Sequence, residues 1–465
     1  MNLRVFIAAL ALTAGTAFAL TPPTDEQVNG VVEKVMGITI PTDTKDTAGR
    51  QAAMKARNDA AKEGLASLSL TELTVSQIDK LASNNMFAVS PEAVATLMPH
   101  LTELAKAGTV EGARAAELRL MLAPLPPISG KTPEERSKSQ EARMAAMVPL
   151  YLDAINHPAA TDLVKSGKGE QIFARFAVLP TAAIKEHKLT ASLEKLIMPE
   201  MSIEATAALA SAVAKLSDAG LDKAELTRVL DKIGSAGQAA IDRTGTPAAG
   251  KEAVAKRAGD TVKRAKSSFA RGELMNNAAP EVAFTWSSDG KTKNIAELKG
   301  NVVVLDFWAT WCGPCVASFP NIRELVARYE AAGSPVKVIG VTSLQGFHMK
   351  RNLEAGNKPE RIDCKGDEQK EYGLMPEFIK DMNMTWTVGF TPDGCFNPNF
   401  GVNGIPHLAI IDSEGKVRHN GLHPMHAKDV ADKIDALLAE AHLKAPAEPM
   451  ADPKKKEEGN KVSAK

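Results

Sequence analysis

One stretch constrains the fold of this 465-residue chain more than any other. It is a continuous apolar run, Asn301 to Trp308 (NVVVLDFW), that leads through Ala309-Thr310-Trp311 into Cys312-Gly313-Pro314-Cys315. An unbroken run with β-branched residues is what a strand buried on both faces requires, and such strands belong to parallel sheets covered by helices. A helical pattern starts at the cysteines, with Val316, Phe319, Ile322, Leu325, Val326 and Tyr329 along one face. Val336 to Val341 (VKVIGV) reads as a second buried strand. Leu408 to Asp412 and Lys416 to His419 read as an antiparallel hairpin closed around Ser413-Glu414-Gly415, and Asp429 to Glu440 as a final amphipathic helix. Strand, helix, strand, helix, hairpin, helix is an α/β sandwich built on a βαβ unit.

The turn between the first strand and its helix carries the chemistry. A helix N-terminus presents unpaired backbone N–H groups and the positive end of the dipole, which stabilise a thiolate there. Two intervening residues keep the second sulfur within reach of a mixed disulfide on the first. Pro314 fixes φ in the first helical turn, where no N–H is needed. Cys312 is therefore expected to attack and Cys315 to resolve.

Composition changes near residue 275. All four cysteines (Cys312, Cys315, Cys364, Cys395) and all four tryptophans (Trp286, Trp308, Trp311, Trp386) lie beyond it, whereas the earlier part is rich in Ala, Leu, Lys and Glu. Residues 20–272 accordingly read as a large, mostly α-helical region suited to partner binding. Pro91 opens one helix and Ala142 to Ile155 and Leu189 to Leu196 continue the pattern. Ser202 to Leu216 and Lys223 to Ile233 form a pair around Asp218-Ala219-Gly220, and no fixed repeat is evident. Thr244 to Ser268 reads as an exposed helix or a linker. The α/β domain is expected over 273–443 and a disordered tail over 444–465. At the other end, Arg4, the apolar run Val5 to Thr16 and Ala17-Phe18-Ala19 form a signal peptide over 1–19, cut near Ala19. The mature chain is then exported, periplasmic or otherwise extracytoplasmic, without a stable membrane span. With 56 basic and 56 acidic residues the formal charge is zero, which gives no footprint for nucleic acid.

Phe307-Trp308-Ala309-Thr310-Trp311-Cys312-Gly313-Pro314-Cys315 resembles the thioredoxin signature nearly residue for residue, with Pro320 where thioredoxin helices carry a kinking proline. Gly401-Val402-Asn403-Gly404-Ile405-Pro406 resembles the stretch that ends in a cis-proline. The wider pattern is similar to the TlpA/ResA-type thioredoxin-like family. The residues that carry this likeness are Ala279-Pro280 before a leading strand over Glu281 to Phe284, Ile295 to Gly300 before the first core strand, and Ile410-Ile411-Asp412-Ser413-Glu414-Gly415 at the hairpin. The likeness covers about residues 278–442. It implies a redoxin domain with a redox-active Cys312–Cys315 disulfide and no other cofactor. It also implies a cis Ile405–Pro406 bond facing the cysteines, and a substrate-docking surface made by Trp311, Gly313, Pro314, Ile405 and His407. Many members carry an acidic residue three positions after the second cysteine; Ser318 stands there instead. Asp306 occupies the place of the buried thioredoxin aspartate, where burial should raise its pKa and let it accept a proton near Cys315.

Cys364 and Cys395 lie in a long insert. They could form a structural disulfide worth roughly 3–4 kcal/mol, an auxiliary redox pair, or two unpaired thiols; export favours the bridge. His419, His423 and His426 are read as a surface cluster, and no metal is assigned. The expected activity is thiol–disulfide exchange on cysteine-containing exported proteins, driven by a membrane thiol donor. The alternative is a partner-binding protein whose redoxin-like domain only docks. A peroxidase of the same fold would need a different cysteine setting.

Overall fold

In the computed structural model the described residues are 21–43, 46–351 and 358–451. The expected signal peptide over 1–19 lies outside them, as does the expected disordered tail from 452 on. The first part of that tail, 444–451, is described, and Met450 there is buried in the core cluster that holds Cys312 and Cys315, which corrects the tail's expected start. The chain divides between Leu196 and Ile197 into two compact units.

The first unit is helical among its described residues: α1 (Asp25–Met36), α2 (Thr47–Ala66), α3 (Val75–Ser83), α4 (Pro91–Leu104), α5 (Val110–Leu122), α6 (Pro133–Ile155), α7 (Ala160–Lys165), α8 (Glu170–Phe176), α9 (Thr181–Glu186) and α10 (Leu189–Leu196). Local chemistry sets the starts: Thr24, Thr74 and Thr132 each form a capping box with the Gln or Glu three residues on. Val28, Ile78, Leu97, Leu101 and Leu118 share one apolar core. The buried Glu117 is satisfied by Arg114 and by the amides of Gly169 and Gln171, as a buried charge must be.

The second unit opens with α11 (Ile203–Asp218), α12 (Lys223–Thr244) and α13 (Glu252–Ala265). The stretch expected as an exposed helix or linker is a packed helix, with Ala258, Thr261, Val262 and Ala265 buried. A Cβ on Gly237 of α12 would lie 2.9 Å from Val262 and 3.0 Å from Thr206, so the glycine sets how closely the helices approach.

Then follow β1 (Trp286–Ser287), β2 (Val302–Phe307), α14 (Gly313–Ala332), β3 (Val336–Thr342), β4 (Phe347–Lys350), β5 (Glu360–Asp363), α15 (Glu368–Asp381), β6 (Thr387–Phe390), β7 (His407–Ile411), β8 (Val417–Leu422) and α16 (Ala427–Glu440). The main sheet has the order β1-β6-β3-β2-β7-β8. Strand β2 is buried at every position, parallel to β3 and antiparallel to β7. This is a thioredoxin-like α/β fold. The leading strand expected over 281–284 is displaced: the paired residues are Trp286 and Ser287, and Ala283 makes only an isolated bridge to Asn294. Strand β6 and the separate β4–β5 hairpin are additions to the expected pattern. Four-residue strands carry too few alternations to declare themselves.

Residues after α13 join the helices to the sheet's edge. Phe269 packs over Gly401, whose φ is +66° and whose Cβ, if present, would fall 2.5 Å from the ring. Gly401→Ala combines a left-handed strain with a clash against a ring. It is expected to cost roughly 2–3 kcal/mol in chemical unfolding.

Candidate active site

Strand β2 delivers the chain to a short turn, and Cys312 becomes the N-cap of α14. Its sulfur accepts from the Cys315 amide at 3.2 Å, so it sits at the helix's unpaired N–H groups. Cys312 and Cys315 are joined as a disulfide. Between them Gly313 and Pro314 are exposed. Reduction leaves the Cys312 sulfur in the field of the helix N-terminus, which favours its thiolate. Ser318 is buried and donates to the Cys315 carbonyl at 2.7 Å, a local helical bond that supplies no carboxylate.

The turn is clamped from outside. Arg351 Nε donates to the Thr310 carbonyl at 2.9 Å, and the Met349 amide donates to Thr310 Oγ1 at 3.2 Å. Trp311 Nε1 donates to Gln345 Oε1 at 3.2 Å, and its ring stacks on Phe396. Phe396 is 42% exposed, which leaves an apolar platform beside the disulfide.

The Ile405–Pro406 bond is cis, and the Ile405 carbonyl oxygen lies 3.7 Å from the Cys312 sulfur. Asn403 and Gly404 are exposed, and Ile405, Pro406 and His407 half-buried. His407 Nε2 and Asn420 Oδ1 are 2.9 Å apart, and the His407 ring meets Phe307 edge-on. Burial lowers the His407 pKa against a smaller raising effect of Asn420, which favours the neutral imidazole.

Asp306 faces the same side of the sheet as this machinery. Side chains two apart on a strand share a face. Val302, Val304 and Trp308 belong to one core cluster with Cys312, Cys315, Trp386 and Leu408. The carboxyl is 1% exposed. Neither of its oxygens, nor the indole N–H of Trp308 or Trp386, has a partner among the described residues. Its register partner on β3 is Gly340, where a Cβ would lie 2.8 Å from Trp308 Nε1 and 3.0 Å from Trp386 Nε1. Burial alone raises the Asp306 pKa from 3.8 to about 7.

Cys364 and Cys395 are not joined; both are free and buried, which corrects the favoured bridge. Each is held by its own partners on the 343–346 turn. The Cys364 amide donates to the Gly346 carbonyl at 2.9 Å, and the Cys395 amide to Ser343 Oγ at 3.2 Å. Burial raises both thiol pKa values, which opposes reactivity. Among the described residues no group of three or more His, Cys, Asp or Glu side chains is placed to hold a metal.

Several site neighbours carried no motif in the sequence: Gln345 and Arg351 reach the turn from the insert, and Arg264 of α13 reaches Asn403 across 139 positions. Long separations of this kind leave no local signal.

The Redoxin family matches residues 274–438. The thiol-disulfide oxidoreductase ResA of Oceanobacillus iheyensis is 39% identical over 146 residues, which are 31% of this chain and 62% of that protein. The ResA of Bacillus cereus is 26% identical over 151 residues, 32% of this chain and 71% of its own length. A solved structure from Chlorobium tepidum, described as a candidate thiol:disulfide interchange protein DsbE, is 28% identical. It covers 35% of this chain and 97% of that one, with a TM-score of 0.27.

Proposed function

Residues 274–438 are a redoxin domain of thioredoxin-like fold, and on that premise we propose that the chain is an exported thiol–disulfide oxidoreductase. It reduces disulfides in extracytoplasmic proteins through Cys312 and Cys315. The observation that carries this reading is the Cys312–Cys315 disulfide at the N-terminus of α14, facing the cis Ile405–Pro406 bond.

The reduced form starts the reaction. The Cys312 thiolate attacks one sulfur of the substrate disulfide, a mixed disulfide forms, and the first substrate sulfur leaves as a thiolate that takes up a proton. Cys315 then loses its proton to Asp306, whose raised pKa suits an acceptor near neutrality. The Cys315 thiolate attacks the Cys312 sulfur, the second substrate thiol is released, and the internal disulfide forms. Two electrons pass from the dithiol to the substrate. A membrane thiol donor returns two electrons and restores the dithiol. No cofactor beyond the disulfide enters these steps. Cysteine-containing exported proteins are the substrates, docked on Trp311, Gly313, Pro314, Ile405 and His407. The segment 1–19 directs export, and no helix among the described residues is long and apolar enough to cross a membrane.

The test is the reduction potential of the Cys312–Cys315 couple. Equilibration against defined thiol buffers should place it near thioredoxin's, at about −270 mV. A value near about −120 mV would reverse the direction and make the protein an oxidant.

A further inference from the structure

The helices that precede the redoxin domain reach the substrate face. Arg264, in the last turn of α13, donates to Asn403 Oδ1 on the loop that ends in cis Pro406. The Ser268 amide donates to Asn399 Oδ1 at 3.4 Å, and Phe269 covers Gly401. The loop that offers Ile405 to a substrate is thus held by this three-helix extension. On the turn that leads into Cys312, Arg351 holds the Thr310 carbonyl. Two guanidinium groups are therefore bonded close to the residues that border the reactive sulfur: Arg264 to Asn403, two residues before Ile405, and Arg351 to Thr310, two residues before Cys312.

Neither arginine forms an ion pair with a carboxylate among the described residues. Asp260, one turn before Arg264, is held by Lys256 at 2.9 Å. Glu377, which lines a small cavity with Arg351 and Asp381, is held by Lys350 at 2.8 Å, and the buried Glu371 accepts from the Gln345 and Gly346 amides. Both guanidinium groups are half-buried, so part of their hydration is already lost. Burial lowers the pKa of each, only partly offset at Arg264 by Asp260. Both stay fully charged at neutral pH, since a guanidinium does not titrate there. Lys263, exposed beside Arg264, adds to the positive rim. The apolar platform of Trp311 and Phe396 adjoins the same turn, next to Cys312.

We propose that Arg264 and Arg351 select cysteine-containing protein segments that carry carboxylates on both sides of the target cysteine. A segment lying across cis Pro406 places its cysteine against Cys312. Its flanking residues then extend toward Asn403 on one side and Thr310 on the other. A guanidinium fork binds a carboxylate through two parallel N–H···O bonds and has no counterpart for an amide or an ammonium. This rests on the thiol–disulfide exchange proposed above and names its substrate class.

The test uses the full chain in its reduced form. Synthetic disulfide peptides are prepared that differ only in having Glu, Gln or Lys on either side of the cysteine, and each oxidation rate of the protein is followed by tryptophan fluorescence. At low salt the Glu peptide should react roughly five- to twentyfold faster than the Lys peptide, with Gln between. The ratio should shrink toward one at 0.5 M salt, where the Debye length is only about 4 Å. In Arg264→Gln/Arg351→Gln the Glu-to-Lys ratio should fall to about one to twofold. Because it is a ratio within one protein, it is independent of how much of that variant folds. Equal rates for Glu and Lys peptides with the unaltered chain at low salt would overturn the inference alone. So would a preference that survives the double substitution. Failure to react with any peptide, and with hydroxyethyl disulfide, would overturn the proposed exchange reaction and this inference with it.

Discussion

Cys312→Ser should lower disulfide turnover roughly a thousandfold or more, the scale of loss when a nucleophile is removed from a centre whose parts act together. Turnover of an insulin-type disulfide reads it directly. The companion variant Cys315→Ser should behave differently: the first attack still proceeds, nothing resolves it, and a covalent protein–substrate disulfide accumulates that mass spectrometry detects. Unfolding does not explain such a loss. A loop as short as the one closed by Cys312–Cys315 contributes at most about 2 kcal/mol in the chain-entropy view, and the cap bond from the Cys315 amide can be replaced by the Ser oxygen. If Cys312→Ser kept more than about a tenth of the activity, Cys312 would not be the attacking group.

Asp306→Asn should separate stability from function. The carboxyl is buried, without a partner among the described residues, and its pKa is raised from 3.8 to about 7 by burial. A raised carboxyl pKa means that the folded chain holds the proton more tightly than the unfolded one. The stabilisation from that proton is complete below about pH 3.8, declines as pH rises, and is gone above about pH 7. Full ionisation then corresponds to on the order of 4 kcal/mol. The Asn variant carries no such charge. It should therefore be more stable than the original chain at pH 8, by on the order of 2–4 kcal/mol, with the difference vanishing near pH 4. The same variant should exchange disulfides roughly 10- to 100-fold more slowly at pH 7, because Cys315 loses its proton acceptor. Denaturant unfolding across pH and stopped-flow kinetics test both halves. A variant that is less stable at pH 8 would show that Asp306 is a structural group, satisfied in a way its burial does not suggest.

The legible parts of this chain were those written in consecutive residues. The apolar β2, the CxxC after it, the helix face from Val316 to Tyr329 and the stretch ending in Pro406 all carry their meaning within about ten positions, because periodicity and turn chemistry are local. Asp306 was legible for the same reason: a carboxylate between Leu305 and Phe307 has no polar alternation to place it outside. The fate of Cys364 and Cys395 was not legible. Oxidising export favours a bridge in general, but a disulfide needs both cysteines aimed at each other. Here Gly346 and Ser343 hold their backbones separately. Strand β6, TVGF in a stretch with Trp386 before it and Pro392 after it, was hidden by its length. The pairing of Arg264 with Asn403 depends on the packing of α13 and on nothing in the sequence near either residue.

The boundary at Ile197 bears on how this redox unit could be moved into another protein. A fragment cut at the change of composition near residue 275 would keep every cysteine and every strand. It would also leave behind Arg264, Ser268 and Phe269. The Asn397–Gly404 loop would then lose its backing and face water with a glycine that expects a ring against it. A fragment that begins at Ile197 keeps those contacts, and the three helices before the sheet are part of the tool rather than its handle.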